Sequence, residues 1–216
     1  TLGSLEIARL KKADVVCATN VGSAKALLAK KTFTTVLMDE AAMATEPVAL
    51  IPITHEGVSR VVLVGDHRQL PPTVISELAE YEGLGQSLFG RLVKCKVPPK
   101  LLNTQYRMHP SIAEFPSQTF YHGELNSGIS ANERTPPCGF RWASETFPIA
   151  FIDVQGSDEK INNSFINDKE AEKVLELLKK LRHGNDLLPC QIGIVAPYAG
   201  QVLNIKDRLH RIDNTK

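Results

Sequence analysis

Adjacent acidic residues follow an apolar run early in this chain, and a charged, amide-bearing turn follows a second run. The run at 35–38 ends in Asp39 and Glu40, and the run at 61–64 ends in GDHRQLPP, which carries Gln69. Two neighbouring carboxylates suit metal-dependent phosphate chemistry, because one can hold Mg²⁺ through its water shell while the other orients an attacking water. The alternative is that this acidic pair is the solvated end of a strand.

The two apolar runs show no polar alternation, which is typical of central strands in a parallel sheet covered on both faces. In open α/β sheets, ligand sites gather at the carboxyl ends of such strands. Strands are predicted at 35–38 and 61–65, and also at 13–19, 149–154 and 192–196. Helices are predicted at 24–31, 47–51 and 77–93, at a stretch interrupted at Pro116, between Asn167 or Asp168 and Gly184, and after Pro197. This alternation indicates an α/β fold with parallel sheets.

A proline-containing segment divides the chain into two predicted lobes. Residues 94–100, with the sequence KCKVPPK, break the helical pattern and form the predicted linker between a lobe at 1–93 and a lobe at 101–216. Residues 122–146 of the second lobe are rich in Gly, Asn, Ser and Pro. Because such residues favour turns and loops, we expect a surface excursion there.

The composition is that of an ordinary globular protein, with 216 residues, 43% hydrophobic residues and a net charge of +1. No basic tail points to nucleic acid, so any such binding has to come from a local groove. The four cysteines fit no zinc spacing, and we expect reduced, buried thiols. With no signal peptide and no apolar run near the ~20 residues that span a bilayer, we expect an intracellular protein. Thr1 stands where a methionine would begin a chain, and we expect further sequence upstream.

Five motifs taken in order support a sharper interpretation than any one of them alone. They are ADVVCATNVGS, VLMDEAA, VVLVGDHRQLPP, QYRMHP and IGIVAPYAGQ. Together they resemble superfamily 1B helicases, the branch that includes the nonsense-mediated-decay helicase and senataxin, over most of the chain. The resemblance implies a P-loop NTPase fold with two RecA-like lobes, both incomplete in this chain. In that family, ATP binds between the lobes and single-stranded nucleic acid binds across their tops.

The resemblance also implies roles for five residues in ATP hydrolysis. Asp39 is expected to hold Mg²⁺, and Glu40 to position the hydrolytic water. Gln69 is expected to read the γ-phosphate, since an amide can donate to a phosphate oxygen and accept from water. Tyr106 is expected to stack on the adenine ring, the alternative being a packed core tyrosine. Arg107 is expected to act as an arginine finger that neutralises charge on the transferred phosphoryl group, the alternative being a surface ion pair.

Two strand-to-helix turns match the family's nucleic-acid contacts. The implied contact residues are Thr19, Val21 and Gly22 in the first lobe and Pro197, Tyr198 and Gln201 in the second. The second turn begins a helix, whose N-terminal dipole favours a phosphate. Such contacts reach the nucleic-acid backbone and imply little sequence preference. The alternative is that these turns contain small residues for structural reasons alone, and a structural role is also favoured for His109.

The family's phosphate-binding Walker A loop, GxxxxGK[ST], does not occur in these 216 residues, and neither do its later motifs. We therefore expect no ATP turnover from this chain alone, and a first-lobe sheet with exposed apolar edges. The predicted function is that of an ATP-dependent 5′→3′ RNA or DNA helicase or translocase, using ATP and Mg²⁺, in the cytoplasm or nucleus. The alternative is a short, non-catalytic protein that binds nucleic acid or a protein partner.

Overall fold

The computed structural model describes residues 2–144 and 146–213, which form seven α-helices and six short β-strands. The helices are α1 (Leu2–Lys12), α2 (Glu46–Ile53), α3 (Glu77–Tyr81), α4 (Leu88–Lys94), α5 (Pro110–Phe120), α6 (Asp168–His183) and α7 (Ala199–Asp213). The strands are β1 (Thr35–Met38), β2 (Arg60–Leu63), β3 (Thr104–Gln105), β4 (Asn126–Ser127), β5 (Glu159–Ile161) and β6 (Ser164–Ile166). The chain divides into two compact units, Thr1–Leu101 and Leu102–Lys216, each with its own sheets.

The first unit is built around a parallel pair of strands. β1 and β2 pair in register, beginning with Thr35 opposite Arg60. A parallel pair needs a crossover connection, and the chain between the two strands contains α2. The core of this unit lies where Met38 packs with Ala49 of α2 and Leu88 of α4. The end of β1 therefore packs against the two helices α2 and α4.

The strand prediction at 35–38 is confirmed, and the prediction at 61–65 is confirmed over residues 61–63, since β2 ends at Leu63. The expected burial of these strands is wrong. Leu37 is 68% exposed, and Val61 and Val62 are 39% and 40% exposed. Within the described residues this sheet has two strands, so much of its apolar surface meets solvent. An unbroken apolar run indicates a covered strand only when the neighbouring strands and helices are present.

Three other predicted strands form no ladder. Residues 13–19, 149–154 and 192–196 pair with no strand among the described residues. The side chains of Phe151 and Val195 are 93% and 96% exposed. A strand needs a neighbour that takes up its backbone hydrogen bonds, and apolar content alone does not supply one. These predictions are wrong for the structure of this chain.

Three predictions about helices are also corrected. The predicted helix at 24–31 is replaced by a short 3₁₀ helix at Val21–Ala24 followed by turns. The predicted helix at 77–93 is divided into α3 and α4, because the backbone at Gly83 has a φ of 95° that a right-handed helix cannot accommodate. The expected interruption at Pro116 is wrong, since α5 continues through it. A proline removes a single backbone donor, and a short helix can tolerate that loss.

The second unit combines two small sheets with the long helices α6 and α7. β3 pairs in parallel with β4, while β5 and β6 form an antiparallel hairpin that turns at Asn162, where φ is 55°. The predicted helix cap is confirmed, because the side chain of Asn167 accepts a hydrogen bond from the Glu170 amide at 3.1 Å. The predicted end of α6 at Gly184 is also confirmed. The hairpin was not predicted, although an Asn-Asn pair between two short strands is a recognisable turn signal.

The cysteines are free but not buried, which corrects the expectation of buried thiols. They are Cys17, Cys95, Cys138 and Cys190. A hydrogen bond with Asp186 raises the pKa of the Cys138 thiol, so this thiol is less reactive than an ordinary one. In the part of the chain that the structure describes, each helix is too short or too polar to cross a membrane.

Candidate functional site

The carboxyl ends of β1 and β2 meet at one edge of the first unit. The Val64 amide donates to the Met38 carbonyl at 2.8 Å, and the Ala41 amide donates to the Val64 carbonyl at 2.8 Å. Gly65 then passes so close to the chain after β1 that an added Cβ would lie 3.0 Å from the backbone nitrogens of Ala41 and Ala42. The two polar turns that the sequence singled out therefore lie side by side.

The turn after β1 presents two exposed carboxylates. Glu40 adopts a left-handed backbone with φ 50° and ψ 38°, a conformation that costs a non-glycine residue about 1 kcal/mol. Its amide donates to Asp39 Oδ1 at 3.0 Å, and its carbonyl accepts from the Met43 amide at 2.9 Å. Strained positions of this kind concentrate at functional sites. The geometry agrees with a reactive turn and also shows that Asp39 and Glu40 are solvated.

Asp66 organises the second turn and holds Gln69. Its carboxylate accepts from the Arg68 amide at 2.9 Å and from the Gln69 side-chain amide at 2.8 Å. The Gln69 backbone amide also donates to the Asp66 carbonyl at 3.2 Å. His67 lies against Phe89 of α4, with ring centroids 6.2 Å apart. Sequence reasoning did not assign this role to Asp66, although an aspartate that begins a turn commonly bonds the backbone two residues on.

The acidic turn fits a magnesium ion that is shared with a phosphate. The described residues contain no cluster of three or more His, Cys, Asp or Glu side chains that could hold a metal by themselves. Mg²⁺ usually keeps several waters and takes one or two carboxylates together with substrate phosphates. Asp39 and Glu40 offer that number of carboxylates in an exposed position. These residues therefore suit Mg²⁺ that arrives with a nucleotide.

A partly exposed ion pair links the two helices that support this edge. Arg91 of α4 binds Glu46 of α2 through two parallel hydrogen bonds of 2.7 and 2.6 Å. The Arg91 guanidinium holds the pKa of Glu46 below its usual value. Paired bonds of this type also fix the orientation of the two groups. The pair links the two helices that support the end of β1.

In the second unit, Gln105 shapes the turn that carries Tyr106 and Arg107. Its side-chain oxygen accepts from the Arg107 amide at 2.9 Å and from the Met108 amide at 2.7 Å. Its side-chain nitrogen donates to the Met108 carbonyl at 2.8 Å and to Ser127 Oγ at 2.9 Å. Gln105 is thus the centre of this turn, a role that the sequence did not reveal.

Tyr106 and Arg107 both present their side chains to solvent. Tyr106 is 65% exposed, which contradicts the alternative of a packed core tyrosine. Its ring lies against Gly128, where an added Cβ would stand 2.2 Å from the ring. Arg107 is exposed and forms no ion pair within the described residues.

His109 is 4% exposed and its Nδ1 accepts from the Ser111 amide at 3.1 Å, which confirms the structural role favoured for it.

The first predicted nucleic-acid turn is exposed, but one of its donors is already used. Val21 is 62% exposed, and Thr19 is also exposed. Thr19 Oγ1 accepts from the Gly22 amide at 3.0 Å, and a Cβ at Gly22 would lie 2.7 Å from that oxygen. The Gly22 amide therefore already has a hydrogen-bond partner, and it would have to leave Thr19 to meet a phosphate. The Thr19 hydroxyl hydrogen remains suited to that contact.

The second predicted turn has one buried and two exposed members. Pro197 is exposed and Tyr198 is 49% exposed, with its ring 5.2 Å from that of Phe165. Gln201 is 7% exposed. Its side chain accepts from the Asn167 amide and donates to the Asn167 carbonyl, each at 3.0 Å. Because both groups are used inside the protein, the expectation of a direct nucleic-acid contact by Gln201 is corrected to a structural role.

Comparison with known proteins places this geometry in context. The sequence matches two AAA-domain families, one over residues 3–77 and the other over residues 84–216. It is 42% identical over 210 residues to Regulator of nonsense transcripts 1 of Dictyostelium discoideum, covering 96% of this chain and 16% of that protein. It is 44% identical over 196 residues to ATP-dependent helicase NAM7 of Saccharomyces cerevisiae, covering 89% of this chain and 20% of that protein. It is 39% identical over 223 residues to Probable helicase MAGATAMA 3 of Arabidopsis thaliana, covering 100% of this chain and 27% of that protein.

The fold and these matches define the chain as an α/β P-loop NTPase of the AAA-domain type, with small parallel sheets that correspond to incomplete RecA-like lobes. It belongs to the superfamily 1B helicases of the nonsense-mediated-decay type. The resemblance inferred from the five sequence motifs is thereby confirmed. The chain spans about a sixth of the length of the first curated relatives it matches.

Proposed function

We propose that the protein works as an ATP-dependent motor that moves 5′→3′ on single-stranded RNA or DNA and unwinds or remodels it. The edge of the β1–β2 sheet carries this proposal. There, Asp39 and Glu40 lie beside the turn that holds Gln69, because backbone hydrogen bonds through Val64 join the two strand ends. Adjacent carboxylates and an amide that can bind a phosphate oxygen are among the groups that ATP hydrolysis needs.

Each of these side chains has a separate task in the proposed reaction. Asp39 would hold Mg²⁺, which when bound to ATP neutralises charge on the phosphate oxygens. Glu40 would orient the attacking water and accept its proton. The Gln69 amide would donate to a phosphate oxygen and so report whether the γ-phosphate is present. These groups occupy the exposed carboxyl edge of the sheet, where ligands of α/β proteins bind.

Within the second unit, Tyr106 and Arg107 present side chains that suit binding of a nucleotide. The exposed ring of Tyr106 suits stacking on adenine. The exposed guanidinium of Arg107 suits binding of phosphate oxygens, because its planar array of donors matches their geometry. Both side chains project from the same turn, which Gln105 stabilises by accepting hydrogen bonds from the Arg107 and Met108 amides.

Substitution of Glu40 tests the proposed hydrolysis directly. In the full-length protein, Glu40→Gln should preserve ATP binding and lower turnover by about a hundredfold or more, because the amide cannot take the proton. Phosphate release and binding of a fluorescent ATP analogue measure the two effects. Glu56→Gln is the matched control, since Glu56 is exposed and lies outside this edge. Turnover at the wild-type rate in Glu40→Gln would disprove the role of Glu40.

Substitution of Arg107 tests the proposed finger. Arg107→Ala should reduce turnover by roughly a thousandfold, and Arg107→Lys should restore little of it. A loss of only about twofold in Arg107→Ala would show that this residue does not act on the transferred phosphoryl group. Duplexes with either a 5′ or a 3′ single-stranded overhang test the direction of movement. Movement 5′→3′ predicts that only the duplex with the 5′ overhang is unwound.

Binding of single strands is tested with the 216-residue chain itself. The exposed side chains of Thr19, Val21 and Tyr198 support contact with a nucleic-acid backbone. Fluorescence anisotropy with a labelled oligonucleotide should show binding that weakens as salt increases. Binding without any ATP turnover by this chain is the expected result, because it contains no Walker A loop. An absence of binding at low salt would contradict these contacts and would also remove the alternative of a non-catalytic protein that binds nucleic acid.

A further inference from the structure

Arg134 holds the backbone of the two exposed residues of the second unit. Its Nε donates to the Arg107 carbonyl and its Nη2 donates to the Tyr106 carbonyl, both at 3.2 Å. Its Nη1 donates to the Glu133 carbonyl at 2.8 Å. Arg134 lies 27 residues beyond Arg107, in the stretch that the sequence predicted to be a surface excursion. One guanidinium therefore joins two distant stretches of the chain.

The segment that carries Arg134 is itself fixed. Arg134 ends a short 3₁₀ helix at Ala131–Arg134. Glu133 Oε1 accepts from the Ser130 amide at 2.8 Å and from the Ser130 hydroxyl at 3.0 Å. The hydrogen bond from the Ser130 amide lowers the pKa of Glu133, which shows that this bond favours the charged carboxylate. These hydrogen bonds fix the backbone from which the Arg134 side chain extends.

The same segment meets the Tyr106–Arg107 turn at two further places. The Gly128 amide donates to the Gln105 carbonyl at 2.8 Å, continuing the pairing of β3 with β4. Gly128 also provides the surface against which the Tyr106 ring lies. Residues 126–134 therefore support this turn in three ways. Gly128 donates to the Gln105 carbonyl and lies against the Tyr106 ring, and Arg134 donates to the carbonyls of Tyr106 and Arg107.

We propose that Arg134 is a positioning residue that sets the direction of the Tyr106 and Arg107 side chains during ATP hydrolysis. This inference rests on the function proposed above for those two residues. A guanidinium presents Nε and Nη2 as a rigid pair of donors, which can bind two successive carbonyls at once. A lysine offers one compact ammonium group and cannot reproduce that geometry. By restraining the peptide that carries both side chains, Arg134 acts on the nucleotide through them and does not need to touch it.

A double-mutant cycle in the full-length protein tests this role. Arg134→Ala should lower kcat between roughly tenfold and a hundredfold, because small displacements of a catalytic group have effects of this size. In an Arg107→Ala background, Arg134→Ala should lower kcat by less than about twofold, since the guanidinium that Arg134 positions is gone. Arg134→Lys should not restore the rate. Arg141→Ala, which removes another exposed arginine of the same stretch, should leave kcat unchanged.

Trypsin cleavage after Arg107 supplies a measurement that does not depend on activity. Arg134→Ala, and Arg134→Gln where the alanine variant is poorly folded, should increase the cleavage rate between Arg107 and Met108 severalfold, as followed by mass spectrometry. Arg141→Ala should leave that rate unchanged. Equal cleavage rates in wild type and both Arg134 variants, or fully additive losses of kcat in the cycle, would overturn the positioning role. If Arg107→Ala keeps its turnover, the proposed function fails instead, while the cleavage rates still decide whether Arg134 orders the turn.

Discussion

Gly65 lies against the backbone of Ala41, in space that no larger residue could occupy without moving its neighbours. An ideal Cβ on residue 65 would stand 3.0 Å from the Ala41 nitrogen. Ala41 directly follows the two acidic residues, and Gly65 directly precedes the turn that begins at Asp66. This contact therefore sets how closely the acidic turn and the Gln69 turn approach each other.

We expect Gly65→Ala to separate these turns by a few tenths of an ångström. The crowding should lower the free energy of unfolding by about 1–3 kcal/mol and reduce ATP turnover of the full-length protein by roughly tenfold. Urea unfolding and phosphate release measure the two effects. Gly193→Ala is the control, since a Cβ there meets open space, and its free energy of unfolding should change by less than about 0.5 kcal/mol. Equal behaviour of the two variants would show that the contact at Gly65 is unimportant.

Gly128 allows the Tyr106 ring to occupy its position, and Gly128→Ala should displace it. Because an added Cβ would lie 2.2 Å from the ring, the tyrosine has to rotate away. We expect the affinity of the full-length protein for ADP to fall roughly tenfold, the size of a lost base–aromatic stack. Isothermal titration calorimetry measures the change, and Tyr106→Phe, which keeps the ring, should retain the affinity. Unchanged ADP affinity in Gly128→Ala would contradict stacking by Tyr106.

The Glu46–Arg91 pair should make the stability of the first unit depend on pH. Because the folded-state pKa of Glu46 is lowered from 4.5, its contribution is complete above that pH and is lost as pH falls through the folded-state pKa. Glu46→Gln should therefore reduce the free energy of unfolding at pH 7 by about 1 kcal/mol or less, and by a shrinking amount below pH 4.5.

Urea titrations at several pH values follow this difference. Glu56→Gln, in an exposed residue outside the pair, serves as the matched control. A difference between wild type and Glu46→Gln that stays constant from pH 7 to pH 3 would exclude the ion pair as its source.

Gln201 should affect stability more than nucleic-acid binding. Gln201→Ala leaves the Asn167 amide without its partner and removes one of the two donors to the Asn167 carbonyl, which also accepts from the Ala171 amide at 3.1 Å. The unpaired buried amide should cost about 2 kcal/mol in the free energy of unfolding. Tyr198→Ala, which removes a half-exposed ring, should weaken oligonucleotide binding with a smaller loss of stability. Anisotropy and urea unfolding separate the two effects. Weakened binding by Gln201→Ala at unchanged stability would restore the interpretation of Gln201 as a direct contact.

The sequence located the polar strand ends of β1 and β2 better than it predicted the other strands. Asp39, Glu40 and Gln69 were singled out because polar residues that follow an apolar run mark a strand end, a signal that depends only on neighbouring residues. Gln105, Asp66 and Arg134 were missed, since a glutamine, an aspartate or an arginine has many uses. Their roles appear only once the carbonyls and amides that they bind are brought near them.

By itself, the sequence determined the family, the α/β class, the two strands β1 and β2, and the α6 cap at Asn167. These features depend on local motifs, short-range periodicity and side chains that bond to nearby backbone. Only the tertiary structure decided that the apolar runs at 149–154 and 192–196 join none of the sheets formed by the described residues, and that Gln201 is buried. It also decided that Arg134 holds the Tyr106–Arg107 turn. Each of these outcomes depends on which distant backbone groups come within hydrogen-bonding distance, and that is a property of the folded chain.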